Sequence, residues 1–471
     1  MKQYAQTYID GSWQGFDPLA SLDLKDSFTE QPFAHIALAG AAQVQLAVAA
    51  ARRAFDGWSG TPLEQRAQFL RRIGANLAKQ AEPLAEQITR EVGMPLKLSR
   101  RIQVNAPAGA WESYAQLAGQ MEYASQIGHS LVTQEPVGIV ACITPWNYPL
   151  HQMTAKVAPA LAAGCVVVLK PSELAPAAAY ALAQAVHESG LPPGVFNLVV
   201  GAGNVAGEAL AAHPDVDMVS FTGSTAAGKR VAGIAADGVK RVALELGGKS
   251  ASIVLPGADL ALAMRHALGA CFLNSGQTCT AITRLLVPAD RYDECARLLQ
   301  EGAASFAMGD PMESGTRLGP LVSGQQRDRV QDYIAQALAA GATSITSRAI
   351  LPPHGYFVAP TVLGGVHPDS AIAQEEVFGP VLAVIAYQSE EEAIAIANHS
   401  NYGLAAAVWG ADRGHALAVA KRLRAGQIDI NGAAFNPLAP FGGFKHSGVG
   451  RENGAFGIKE FLEPRAIQLP A

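Results

Sequence analysis

From Gln43 to Tyr123 apolar residues recur at three-to-four spacing with charges between them, as in AVAAARRAFDGW and EQRAQFLRRIGANLAKQAEPLAEQITREV. That period predicts amphipathic helices. After Glu135 the texture changes to short apolar runs alternating with helical patterns. PVGIVACIT is followed by a helix from His151, CVVVLK by a helix over AAAYALAQAVHES, and FNLVV by a short helix; VDMVSFT is followed by a helix from Ser224, and RVALEL closes the series. Strand and helix at this pace predict right-handed βαβ units and a parallel sheet buried on both faces, with ligands at the carboxyl ends of its strands. A second alternation begins after Gly248 with SASIVL, AITRLLV and PVLAVIAY. A cleft between two α/β domains is therefore the expected site of chemistry. MEYASQIGHSLVT, from Met121 to Thr133, is β-like and interrupts the first domain.

Composition narrows the class. A chain of 471 residues exceeds the size of one growing core, so two or three domains are expected. A net charge of -5 without a Lys/Arg block gives no support to a nucleic-acid or anionic-membrane partner. The five cysteines include no CxxC pair or Cys/His cluster, which argues against disulfides and structural zinc; no metal is expected. The N-terminus lacks the layout of a signal peptide, and VAPALAAGCVVVL is too short and too broken to span a bilayer, so the expected location is cytoplasmic.

Four cysteines (Cys142, Cys165, Cys271, Cys295) sit among aliphatic or helix-forming neighbours, but Cys279 ends the polar loop NSGQTC. A reactive thiol needs donors for an oxyanion and a base. PWNYP follows the first strand of the sheet and carries Asn147, a neutral amide donor; LELGGKS ends another strand with Glu245, whose basicity apolar company would raise. Two glycine-rich turns compete for a nucleotide phosphate. GAGNVAG has the spacing GxGxxxG rather than GxGxxG, whereas FTGSTAAGK places amides after Gly223 at a helix N-terminus. KPSE puts Lys170 and Glu173 at a strand end, where they could bind ribose hydroxyls, and the carboxylate would repel a 2′-phosphate.

The collinear series EPVG, PWNYP, KVAPALAAGC, KPSE, FTGS, LELGGKS, NSGQTC, EEVFGP, NYGLAAAV and PFGGFKHSGVGRENG resembles the NAD(P)-dependent aldehyde dehydrogenase superfamily along nearly the whole chain. The resemblance implies a Rossmann-type cofactor domain (1–117 and 135–248), an α/β catalytic domain (249–447) and a small β oligomerisation arm (118–134 and 458–471) that builds a homodimer or homotetramer. It implies Cys279 as nucleophile, Asn147 and the Cys279 amide as oxyanion donors, and Glu245 as base for water that hydrolyses a thioester. Lys156 matches a lysine proposed for a proton relay; an ordinary surface lysine is the alternative. Cofactor contacts would be Thr144, Trp146, Lys170, Glu173, Gly203, Gly223, Ser224, Leu246, Glu376 and Phe378, with NAD preferred over NADP.

By the same resemblance the substrate tunnel is lined by Tyr148, His151, Gln152, Leu273, Thr278, Thr280, Phe435 and Phe441, which suits a neutral aromatic or medium aliphatic aldehyde. His151 is read as an amphipathic lining residue. Ala155 stands where succinic semialdehyde members commonly carry Arg, which disfavours a carboxylate-bearing semialdehyde. Glu245 favours hydrolysis over transfer to coenzyme A. Two rivals are a non-redox cysteine hydrolase, for which no histidine partner motif is present, and an inactive scaffold, against which Cys279, Glu245 and Asn147 stand together.

Overall fold

The apolar runs of the sequence are strands of two separate sheets, in a computed structural model that describes residues 1–347 and 349–470. In the first sheet the order is Gly448–Val449, Arg241–Glu245, Met218–Thr222, Ile139–Ile143, Val166–Lys170, Phe196–Leu198, Gln6–Ile9 and Ser12–Gly15. The five central strands are parallel and the added edge strands are antiparallel. The central strands Ile139–Ile143, Val166–Lys170 and Met218–Thr222 are buried at every position, which is why they read as continuous apolar runs and not as alternation. Register aligns their carboxyl ends: Ile143 lies beside Lys170, and Thr222 beside Glu245. Every loop that leaves this edge therefore opens on the same side.

The second sheet runs Thr343–Ser344, Thr361–Gly364, Val381–Tyr387, Ile282–Pro288, Ser250–Val254, Ala405–Trp409 and Gln427–Ile430, parallel except for the first pair. Its core packs on both faces, separately from the core of the first sheet.

The helices expected between Gln43 and Tyr123 are Ala41–Ser59, Leu63–Lys79, Ala81–Val92 and Ala106–Gln120. Between the last two, Ser99–Asn105 is a π-helical stretch that no periodicity announces. MEYASQIGHSLVT forms Ala124–Ile127 and the start of Ser130–Pro136, which pairs antiparallel with Leu462–Gln468. The helix Ala106–Gln120 continues into the segment expected to begin the arm at 118, and Ile458 lies in the helix Gly454–Lys459, with the C-terminal strand starting only at Leu462. The first forty residues supply two edge strands of the first sheet and the whole of a separate three-stranded sheet of Lys2–Tyr4, Pro32–Leu38 and Ala20–Lys25. Among the described residues no helix is long and apolar enough to cross a membrane.

Candidate active site

Cys279 follows a tight loop. Asn274 and Ser275 hold left-handed backbone at φ 52° and 54°, and Gly276 follows at 76°. A Cβ on Gly276 would lie 2.0 Å from the Gly379 carbonyl oxygen, so only glycine allows the loop to pass there. The loop is tied to the first domain by buried amides. The Asn147 carbonyl accepts from Gln103 Nε2 (2.8 Å) and Asn274 Nδ2 (3.0 Å), and Asn147 Nδ2 donates to the Gln277 carbonyl (3.0 Å). Gln277 in turn donates from Nε2 to the Val92 and Asn274 carbonyls and accepts at Oε1 from the Val322 amide. An amide carries two N–H donors, so Asn147 keeps one beyond its bond to Gln277.

The thiol stands where two cavities meet. One, of about 680 Å³, is mostly apolar and is lined by all eight side chains expected to form the tunnel, from Tyr148 and His151 to Phe435 and Phe441. Tyr148 Oη donates to Thr278 Oγ1 (2.7 Å), which donates to the Leu273 carbonyl (3.2 Å), so this wall is fixed by its own hydrogen bonds. Burial holds His151 below its ordinary pKa, leaving it neutral near pH 7. The other cavity, of about 190 Å³, lies at the carboxyl edge of the first sheet and is lined by Trp146, Gly223, Ser224, Leu246, Glu376 and Phe378, among others.

Around that groove the expected cofactor residues are spread along the strand ends. Ser224 caps the helix Thr225–Asp237, its Oγ accepting from the Ala227 amide at 3.3 Å, so its hydroxyl is already engaged. Thr144 is buried and its hydroxyl has no partner among the described residues. Lys170 is buried, donates to the Gly201 carbonyl (2.8 Å) and lies 3.5 Å from Glu173; burial lowers its pKa while Glu173 opposes the shift. Gly203 opens a π-helical turn whose last residue, Gly207, has no room-filling side chain over Lys170. Phe378 is held at φ 61°, an unusual conformation for a bulky residue, and meets Trp146 edge to face at 5.6 Å. Glu376 accepts from the Gly248 amide (3.0 Å), and burial pushes its pKa up to about 7.

The electrostatics are dominated by carboxylates in a dry place. Glu245 is buried with neither oxygen partnered among the described residues, and its pKa is raised well above the ordinary range, first by burial and then by the nearby charge of Glu452. Gly442 makes room for it: a Cβ there would stand 2.7 Å from Glu245 Oε1. The Cys279 thiol is pushed up to about 12 by burial and by the negative charges of Glu376 and Glu245. In the protein alone it is therefore a thiol, not a thiolate, near neutral pH.

Lys156 is not a surface lysine. It is 1% exposed and ion-paired to Glu452 Oε1 at 2.5 Å. Glu452 escaped the sequence reading although it lies inside PFGGFKHSGVGRENG; a charged residue among that many glycines was the available signal. Gln103, Gln326 and the cavity wall from Ala106–Gln120 were also missed, because no motif surrounds them. Gln326 Nε2 donates to the Phe378 carbonyl (2.9 Å) and so supports the strained loop. Among the described residues no group of three or more His, Cys, Asp or Glu could hold a metal ion.

Comparison with known proteins gives this geometry relatives. A family model described as "Aldehyde dehydrogenase family" matches residues 13–467. A 3-succinoylsemialdehyde-pyridine dehydrogenase of a Pseudomonas species is 47% identical over 471 residues, covering 99% of each chain. The crystal structure of a cysteine-to-alanine mutant of aldehyde dehydrogenase C from Pseudomonas syringae, complexed with NAD+ and octanal, superposes with a TM-score of 0.97 at 47% identity, covering 99% of this chain and 97% of that one. An aldehyde dehydrogenase from Mycobacterium tuberculosis complexed with NAD+ superposes with a TM-score of 0.96 at 39% identity, covering 100% and 99%.

Two measurements check the site's electrostatics. Alkylation of Cys279 by iodoacetamide in the cofactor-free protein should rise roughly tenfold per pH unit from neutral to alkaline pH without levelling off; a plateau above about pH 9.5 would show an unperturbed thiol. Lys156→Met should cost about 3–5 kcal/mol by leaving Glu452 buried and unpaired. The double variant Lys156→Met/Glu452→Gln should regain most of that loss in urea denaturation.

Proposed function

Because this chain belongs to the aldehyde dehydrogenase family, and is thus an oxidoreductase acting on aldehydes, we propose that it oxidises a neutral aromatic or medium aliphatic aldehyde to the free acid with NAD. The observation that carries this reading is Cys279 lining both an apolar cavity wide enough for such a chain and a groove at the strand ends suited to a dinucleotide. Octanal and NAD+ in the complex of the Pseudomonas syringae relative support the same pairing.

The groove fits the cofactor on its own chemistry. The Ser224 cap takes the Ala227 amide and leaves those of Thr225 and Ala226 at the N-terminus of Thr225–Asp237 for a pyrophosphate, and Thr144 offers an unpartnered buried hydroxyl. Glu376 and Phe378 would hold the nicotinamide end, Lys170 and Glu173 the adenine ribose, with Trp146, Gly203, Ser224 and Leu246 completing the walls. When bound, NAD supplies the acceptor for a hydride.

The chain's own groups do the rest. Cys279, once deprotonated, adds to the aldehyde carbon; the C–S bond forms as the carbonyl π pair moves to oxygen, which the free N–H of Asn147 and the Cys279 amide hold. Loss of hydride restores the C=O bond and leaves a thioester. Glu245 takes a proton from water as it attacks that carbon; the C–S bond breaks, the electron pair returns to sulfur, and the carboxylic acid leaves. A carboxyl whose pKa is raised by burial is a stronger base than a solvated one and suits this step. The Lys156–Glu452 pair, whose Glu452 charge acts on Glu245, would carry that proton away.

A carboxylate-bearing semialdehyde is the second reading. Arg101 lines the apolar cavity, is exposed and has no salt bridge among the described residues, and the Pseudomonas relative is named for a semialdehyde.

A panel of aromatic, aliphatic and ω-carboxy aldehydes with NAD, with and without coenzyme A, tests both readings. Wild type should reduce NAD without coenzyme A, and Cys279→Ala should not. Glu245→Gln should release about one equivalent of NADH in a burst and then turn over about a hundredfold or more slower; no burst with equally slow turnover would remove Glu245 from the hydrolytic step. Glu173→Ser should raise the ratio of kcat/KM for NADP over NAD by about tenfold, a change of roughly 1.4 kcal/mol; an unchanged ratio would sink the ribose assignment.

A further inference from the structure

The apolar cavity has one polar region away from the thiol. On the helix Leu260–Phe272 and its cap, His266, Ala270 and Leu273 all line it, at i, i+4 and i+7, the spacing of one helical face. Leu273 belongs to the thiol end, since its carbonyl accepts from Thr278 next to Cys279. Seven residues of helix separate His266 from it by about 10 Å along the axis. On the facing strand Gln427–Ile430, Gln427 and Asp429 both line the cavity, two apart and so on one face, while Ile428 and Ile430 pack into the core.

These three side chains are incompletely satisfied. Asp429 accepts from Gln427 Nε2 (3.3 Å) at Oδ1 only. His266 stacks at a tilt on Trp409, 5.4 Å between centroids, and its buried Nδ1 has no partner among the described residues. Burial raises the Asp429 carboxyl and lowers the His266 imidazole, as expected for polar groups facing a dry cavity. The buried His266 Nδ1 costs stability unless something bonds to it.

We propose that His266, Asp429 and Gln427 form a subsite for the tail of the substrate, which takes an aldehyde carrying a hydrogen-bond donor, a hydroxyl or a protonated ring nitrogen, about 10 Å from its carbonyl. The inference rests on the aldehyde-oxidising reading and specifies its substrate. An extended chain advances roughly 1.2 Å per bond, so about eight bonds bridge the span. Asp429 opposes a carboxylate at that position, which sets this inference against the semialdehyde reading.

The test compares kcat/KM for octanal with its ω-hydroxy counterpart, and for a phenyl-terminated with a pyridyl-terminated aldehyde of equal length, in wild type, Asp429→Asn and His266→Leu. Wild type should favour at least one donor-bearing partner by about tenfold, the size of a hydrogen bond to a charged acceptor; preference for the hydroxy compound identifies a hydroxyl tail, and preference for the pyridyl compound a protonated nitrogen. Both variants should bring the ratio near one. Because each ratio is taken within one protein, loss of folded enzyme cancels. Equal wild-type preference within both pairs, or ratios untouched by both variants, would overturn the subsite. Equilibrium titration with octanol and octanediol separates the two claims: tighter diol binding that Asp429→Asn abolishes, with no aldehyde oxidised, would leave the subsite standing and fell the proposed reaction, whereas equal binding of the two alcohols would overturn the subsite itself.

Discussion

The buried amide contacts around Asn147 and Gln277 are the constraint on which the site depends. Asn147 leaves a strand end of the first sheet, Gln277 lies in the loop before the thiol, and Gln103 reaches in from the π-helical stretch Ser99–Asn105. Every one of these groups is buried, so breaking one bond would leave an unsatisfied amide at a cost of about 1–3 kcal/mol. That penalty makes the loop's position all-or-none. It also holds Asn274 and Ser275 in left-handed backbone at two successive positions.

With the loop fixed, the two cavities meet at Cys279. The parallel register of the first sheet sends Asn147, Lys170, Gly223 and Glu245 out at the same edge. The second sheet contributes Glu376 and Phe378 just before the strand Val381–Tyr387, and the far wall of the cavity through Gln427 and Asp429. The apolar cavity and the strand-end groove thus share a boundary without sharing walls, apart from Cys279 and Gln152, which line both.

Burial supplies the chemistry as much as residue type does. Glu245 and Glu452 are buried and Glu376 is half-buried beside them, and among the described residues only Glu452 of the three is ion-paired. Burial holds Glu376 toward the protonated form, burial and the charge of Glu452 do the same for Glu245, and burial with the charges of Glu376 and Glu245 keeps the thiol protonated. A positive charge brought into the groove would favour the ionised thiol by the same Coulomb terms that now oppose it.

The sequence by itself determined the alternation of elements, the strand-end placement of Asn147, Glu173 and Glu245, and the exceptional setting of Cys279, because these follow from local patterns of period, turn chemistry and polarity. It also determined the family, since ten motifs in order leave little freedom. The tertiary structure alone decided what lies between them. Lys156 reads as a helix lysine until Glu452, nearly three hundred residues later, is seen against it. Gln103 and His266 sit in helices whose periodicity shows only an apolar face, and the π-helical turn that aims Gln103 at Asn147 leaves no mark in composition. Long-range pairing of buried polar groups is set by the packing of whole domains, and a chain of residues carries no local signal of which distant partner will close its last hydrogen bond.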